Sequence, residues 1–360
     1  MIYAEGRDYE GMTLKEIAAE AGVSVSTVSR VINMKGPHVA RPEIQNRIWE
    51  IVSRSGYTPN VHAVGLKRQS EPETESTEAA LGSIACLFAR TPQSIDDPFF
   101  SQLARNVEVA AFKNGYHVQC SLTEVDIKRP SMLQNLMNQQ IRGVVVLGRC
   151  DKEMLHYLKQ RFRYVSYAGL NPVDAKYDQT ICDGRLISKK AVEYLIALGH
   201  QKIAYIGETN NEQRYLGYCD ALREHGMPIC DEYIADVQLS TENGYRGAQA
   251  LMTRDTGVTA IMCANDLTAI GAVRTLHENG VRIPQDISII GIDDIDMVQY
   301  LPTKLTSVHI PVDEMGQMAT KLLIDRIDGG HDLPLQVSLP FYIAERESCA
   351  KPPKTPWRPR

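Results

Sequence analysis

Near the N-terminal end, Leu14, Ile17, Ala18 and Ala21 recur at i, i+3, i+4 and i+7, which places them on one face of a helix. Thr13 stands ahead of this run with Glu16 three residues on, the arrangement of a capping box. Gly22 follows where the chain must turn sharply, because glycine tolerates positive φ without steric cost. Val23 then reads as an apolar plug and Ser24 as the N-cap of a second helix. In that helix Val28, Val31 and Ile32 form the buried face, which leaves Val25, Ser26, Ser29 and Arg30 pointing outward. A third helix opens at Pro42, a favourable first helical position, with Ile44, Ile48, Ile51 and Val52 inside.

The pattern changes after the polar, acidic stretch Gln69–Glu78, which reads as a flexible linker. Strand-like runs at Ser83–Phe88, His117–Leu122, Gly143–Leu147, Lys202–Ile206, Ala260–Cys263 and Ile287–Ile292 are followed by amphipathic stretches. Helices are expected over Phe99–Asn114, Leu186–Leu198, Tyr215–His225, Gly244–Met252 and Thr268–Asn279. This alternation predicts parallel sheets with helices on both faces, and more than 250 residues of it suit two sheets better than one. Ligands of such sheets bind beyond the carboxyl ends of the strands, here in the cleft between two lobes.

The predicted organisation is an all-α helix-turn-helix unit (12–58), a connecting segment (59–68), a linker (69–80), a core of two doubly wound parallel-sheet lobes (82–346) and a tail (347–360). The tail carries four prolines and is expected to be disordered. Residues 1–11 have no helical period and read as a loose leader, with Met12 a candidate start.

Charge sharpens this picture. The chain carries a net charge of -5, yet from Met12 to Arg68 eight Lys and Arg face four Glu, a local balance of +4. A small basic segment on an acidic body suits contact with phosphates at one end only. The outward face of the second helix holds small groups and one arginine. Such a face enters the major groove without clash, where Arg30 can make a bidentate contact with a guanine edge. Val25 suits apolar contact with a thymine methyl, while Thr27 and Ser29 are better placed for phosphates. The competing reading is a three-helix unit that packs against protein.

The segment Thr13-Leu14-Lys15-Glu16-Ile17-Ala18-Ala19-Glu20-Ala21-Gly22-Val23-Ser24-Val25-Ser26-Thr27-Val28-Ser29-Arg30-Val31-Ile32-Asn33 resembles the headpiece of the lactose-repressor/galactose-repressor family almost throughout. Gly56-Tyr57-Thr58-Pro59-Asn60 matches the close of that family's third helix, and the likeness continues through Leu198-Gly199-His200, Ala264-Asn265-Asp266 and Ile283–Asp294 to about Arg346. The resemblance implies a repressor that binds a palindromic operator in double-stranded DNA as a cytoplasmic homodimer, controlled by a small-molecule effector. It assigns DNA contacts to Thr13, Ser24, Val25, Ser26, Thr27, Ser29, Arg30, Asn33, Asn60, Ala63 and Leu66, the last as a minor-groove wedge on a short hinge helix. Gly65 departs from the pattern, costing a helix about 1 kcal/mol relative to alanine, so the hinge is expected to fold less readily than in relatives.

Carried over position by position, the effector contacts are Phe99 and Phe100 for apolar surface, with Arg214, Asn265 or Asp266, and Asp293 for polar contact. Phe99 and Phe100 can equally be plain core, and Asp266 can be the N-cap of the helix that follows. Alignment places Leu239 where many relatives stack an aromatic ring on the ligand, which weakens a purine and leaves the sugar open, while Arg214 with Asp293 favours a small polar molecule, a sugar or a derivative such as a sugar acid.

Other chemistry finds little support. The 8 cysteines are scattered without a Cys-x-x-Cys pair, so core thiols in a reducing cytosol are expected rather than disulfides or zinc. Asp293-Asp294-Ile295-Asp296 lacks the glycine and glutamate of a calcium loop, and no metal or cofactor is expected. There is no Gly-x-Gly-x-x-Gly, no phosphate-binding Gly-x-x-x-x-Gly-Lys-Ser/Thr and no Gly-x-Ser-x-Gly setting for a histidine-activated nucleophile, so an enzyme is not expected. No apolar run approaches the roughly 20 residues that span a bilayer.

Overall fold

The computed structural model describes residues 12–33, 40–55, 82–89, 97–123, 140–254 and 256–357. The predicted hinge and linker, with Asn60, Ala63, Gly65 and Leu66, lie outside the described residues.

Three helices form the headpiece: α1 (Leu14–Ala21), α2 (Val25–Asn33) and α3 (Pro42–Ser55). The Thr13 side chain accepts from the Glu16 N–H while Glu16 accepts from the Thr13 N–H, so the capping box is formed at both ends. Gly22 ends α1 at φ 69°, and Val23 packs against the small core of Ile17, Ala18, Val28, Val31, Ile48 and Val52. Trp49 joins this core from α3, a position outside the four-residue face expected for that helix.

The first sheet takes the order β11-β5-β4-β3-β1-β2, built from β1 (Gly82–Phe88), β2 (Tyr116–Thr123), β3 (Gly143–Leu147), β4 (Tyr164–Gly169), β5 (Asp178–Ile181) and β11 (Gln336–Ser338). Every pairing in it is parallel. On one face Cys86, Val145 and Leu147 pack with Phe100, Leu103 and Val107 of α4 (Pro98–Lys113). On the other, Leu87, Val144 and Val146 pack with Met154 and Leu158 of α5 (Lys152–Arg161). Burial on both faces is why β3 reads Gly-Val-Val-Val-Leu without polar alternation.

The second sheet runs β12-β10-β9-β8-β6-β7, from β6 (Ile203–Gly207), β7 (Ile234–Asp236), β8 (Ala260–Cys263), β9 (Ser288–Asp293), β10 (Thr306–His309) and β12 (Tyr342–Ala344). Only the edge pair β10–β12 is antiparallel. Its helices are α6 (Gly184–Ala197), α7 (Gln213–Glu224), α8 (Thr241–Met252) and α9 (Asp266–Glu278), while α10 (Val312–Ile327) returns to pack on α4 and the first sheet. The chain thus crosses between lobes three times: from β5 into α6, from β10 into α10 and from β11 into β12. These crossings bring the carboxyl ends of both sheets to one cleft.

The tail departs from expectation. Residues 347–357 are described and ordered against the second sheet. The Ser348 hydroxyl donates to the Ile289 carbonyl at 2.6 Å and accepts from the Thr306 N–H at 2.8 Å, and the Ala350 N–H donates to Ser288 Oγ at 3.0 Å. Trp357 packs against the main core. Prolines rule out a helix but leave few backbone donors to satisfy, and side-chain hydroxyls of the sheet supply partners for those that remain.

His200 fastens this segment. It is buried, its Nε2 donates to the Ala350 carbonyl at 2.9 Å, and its Nδ1 shares a 2.9 Å hydrogen bond with Thr259 Oγ1. Burial lowers its pKa, only partly opposed by the Ala350 carbonyl. A histidine depressed in the folded state contributes stability above its unfolded value, near 6.5, and loses it as pH falls through the folded value. Urea unfolding of wild type from pH 7.5 downward should show a falling midpoint below about pH 6.5, with a shallower slope in His200→Gln. Equal slopes would mean His200 does not titrate with folding.

Candidate functional site

In the headpiece, Ser24 Oγ accepts from the Thr27 N–H at 3.1 Å and caps α2. The same oxygen lies 2.8 Å from both Ser26 Oγ and Thr27 Oγ1, so three hydroxyls cluster at the start of this helix. Val25 is 40% exposed, and Ser26 and Arg30 are also exposed. Arg30 Nε donates to the Ser26 carbonyl at 3.4 Å, which lays its side chain back along α2. Asn33 is the last residue of that helix. Small groups followed by a guanidinium form a surface narrow enough for a DNA groove.

In the core, a cleft opens between the lobes, the place where ligands of such sheets bind. From the first lobe it is lined by Asp97, Phe99 and Phe100, by Gly148 and Arg149 after β3, and by Gly169, Leu170 and Asn171 after β4. From the second lobe come Glu212 and Arg214 after β6, Asn265 after β8 and Asp293 at the end of β9. All these lie at or beyond strand carboxyl ends or at a helix start, as the parallel topology requires.

Phe99 and Phe100 are buried and meet edge to face with centroids 5.2 Å apart, so they serve the core and the cleft wall together. Asp97 caps α4 through a 3.0 Å bond from the Phe99 N–H. Asn265 is the N-cap of α9, its Oδ1 accepting from the Thr268 N–H and hydroxyl, which leaves its amide NH2 as the group it can offer a ligand. Asp293 has φ 116° and Asp294 φ 60°, both in the left-handed region. Such a backbone costs of order 1–3 kcal/mol per residue and persists only where the surroundings hold it. Here Asp294 accepts from Arg346 at 2.6 Å and from His309 at 3.0 Å, and its N–H donates to Ser307. The strained turn carries Asp293 to the cleft.

Two expected contacts lie elsewhere. Asp266 is the first residue of α9, fully buried behind the cleft, where it accepts from the Ser307 hydroxyl at 2.7 Å and the Ile295 N–H at 3.0 Å. Burial pushes its carboxyl above the ordinary range, opposed by those two donors. It neither lines the cleft nor caps the helix, because the residue before it already does the capping. Leu239 packs against the main core outside the cleft lining.

Three charged groups in the lining, Asp97, Arg149 and Glu212, were not singled out as ligand contacts in the sequence. Glu212 is 1% exposed and holds Arg214 in a fork: Nε donates to Oε1 at 2.9 Å and Nη2 to Oε2 at 3.0 Å. Arg214 Nη1 donates to the Ala264 carbonyl at 2.8 Å. Burial opposes the guanidinium's charge, but Glu212 overcomes it and holds the pKa above its usual range. Across the cleft, Arg149 of the first lobe reaches Glu208 at 2.6 Å and Glu212 at 3.3 Å. Glu212 two residues before Arg214 was the available signal, since a carboxylate there caps α7 and meets the same guanidinium.

The family model for bacterial regulatory proteins of the lacI family matches residues 13–60, and that for a periplasmic binding protein-like domain matches residues 192–349. The ribose operon repressor of Haemophilus influenzae is 33% identical over 327 residues, covering 88% of this chain and 92% of that protein. The repressor PurR of Photorhabdus laumondii is 29% identical over 354 residues, covering 96% of this chain and 99% of its own. Among solved structures, a complex of the transcriptional regulator CelR with cellobiose superposes with a TM-score of 0.70 at 25% identity, over 94% of this chain and 99% of that one. The helix-turn-helix with its capping box and exposed reading face, joined to two six-stranded lobes around a polar cleft, therefore belongs to a member of the lacI family of bacterial regulatory proteins.

Proposed function

We propose that the chain is a cytoplasmic transcriptional repressor that binds a palindromic operator as a homodimer and responds to a small polar effector, a sugar or sugar derivative, held in the inter-lobe cleft. The observation that carries this reading is the cleft lining. Phe99 and Phe100 offer apolar surface for a ring face, while Arg214, Asn265 and Asp293 offer donors and acceptors to hydroxyls that lose their water. Leu239 in place of a stacking aromatic, and outside the lining, favours a saturated ring over a purine. Val109 and Phe112, one turn apart on α4 and 39% and 73% exposed, supply apolar surface for a second copy. The effector acts through its differential affinity for two degrees of lobe closure, which set the spacing of the two headpieces.

Fluorescence anisotropy on a palindrome selected from random DNA, at two salt concentrations and with a panel of sugars, tests the whole reading. Tight, salt-sensitive binding altered by one sugar is expected. Weak, sequence-independent binding that no sugar alters would overturn it. On the selected site, Arg30→Ala should lose about 1–3 kcal/mol of affinity and relax preference at one base pair. A uniform loss across sequences would place Arg30 on phosphate instead.

A further inference from the structure

We infer that the cleft accepts an uncharged polyhydroxyl ligand and turns away anionic sugars such as sugar phosphates and sugar acids, with Glu212 setting that preference; this rests on the effector role proposed above. A guanidinium in such a cleft would ordinarily be the natural partner of a carboxylate or phosphate, because its planar fork matches two anionic oxygens. Here the fork is already occupied. Nε and Nη2 of Arg214 both donate to Glu212, and Nη1 donates to the Ala264 carbonyl. Of the five N–H groups of an arginine, those three bonds leave one on each terminal nitrogen, beside a buried carboxylate that already balances the guanidinium's charge.

Arg149 is committed in the same way. One of its terminal nitrogens meets Glu208 and the other meets Glu212 and the Asn211 carbonyl. Asp97 and Asp293 also line the cleft, so among the described residues two guanidiniums stand with four carboxylates, counting Glu208 beside Arg149. An anion entering there must compete for Arg149 and Arg214 with carboxylates 1–18% exposed that already hold them. A neutral sugar meets acceptors at Asp293 and donors at Arg214 and Asn265.

The test is isothermal titration calorimetry on the full chain with matched probes: ribose against ribose 5-phosphate, glucose against glucose 6-phosphate and gluconate, and cellobiose against cellobionate. In wild type at least one neutral probe should bind, with its charged counterpart weaker by about tenfold or more. Glu212→Gln keeps the helix cap but removes the charge, and should narrow that ratio by about tenfold, chiefly by admitting the charged probe. A charged probe that binds wild type as tightly as its neutral counterpart overturns the inference and leaves the effector role standing. An unchanged ratio in Glu212→Gln overturns the role of Glu212. Absence of binding by every probe overturns the effector role and the inference with it. Should Glu212→Gln fail to fold, Glu208→Gln, which frees Arg149 at a more exposed position, must narrow the same ratio.

Discussion

Arg214→Met should cost the folded core about 3 kcal/mol and abolish the response to effector. Arg214 is 5% exposed and Glu212 1% exposed, so the substitution leaves a buried carboxylate without its principal partner. Breaking such a pair typically costs 3–5 kcal/mol, far more than the pair contributes against a neutral replacement. The lower end applies because Arg149, 3.3 Å from Glu212, still compensates part of the charge. The double variant Glu212→Gln/Arg214→Met removes both charges and should recover at least about half of the lost stability. It should not recover the effector response, which needs the guanidinium's remaining donors. Urea unfolding of the three proteins, with the same sugar titrations, separates the two effects. A double variant no more stable than Arg214→Met would show that the loss came from packing rather than from the stranded charge.

Gly217→Ala should be comparably damaging, against the expectation from local preference. Gly217 lies within α7, where alanine would ordinarily gain about 1 kcal/mol of helix stability. The crossing with α6 reverses the sign. A Cβ at this position would overlap the Arg185 carbonyl oxygen and stand 2.9 Å from the Arg185 carbonyl carbon and 3.0 Å from the Lys189 nitrogen. These are backbone atoms of the facing helix and cannot rotate away. The interface is also tied by ion pairs from Arg185 to Asp220 and from Lys189 to Glu224, which resist separation of the helices. We expect a net loss of about 3 kcal/mol, in the upper range for overpacking. Leu216→Ala, one residue away and 37% exposed, should cost under about 1 kcal/mol. A stabilised Gly217→Ala would mean the helices can part more freely than this geometry permits.

Both effects turn on contacts between distant segments, which marks the boundary of what the chain discloses when read alone. Local features were fully legible. Thr13, Glu16, Gly22 and Ser24 act within four residues of themselves, so cap, turn and cap follow from residue type. The strands Gly143–Leu147 and Ala260–Cys263 stood out because burial on both faces demands unbroken apolar runs. Short strands such as β7, β11 and β12, three residues each, carry no period and were not foreseen. Polar positions dilute the helical pattern of α5, whereas α10 carries a clear period in Val312, Met315, Ala319, Leu322, Leu323 and Ile327 and was not singled out.

For the cleft, the sequence by itself determined that a site would lie beyond strand carboxyl termini, and the family resemblance named Phe99, Phe100, Arg214, Asn265 and Asp293, all of which line it. Only the tertiary structure decided what each does there. Asn265 and Asp266 are adjacent and chemically alike, yet one caps α9 at the cleft and the other is buried against Ser307 and Ile295. Their roles differ because a one-residue step at a helix start turns a side chain through about 100°. Arg149 meets Glu212 across 63 residues, and His200 meets Ala350 across 150. Neither partner leaves a mark on the other's neighbours, because the energy of such a contact depends on burial and on the approach of separate elements, not on spacing along the chain.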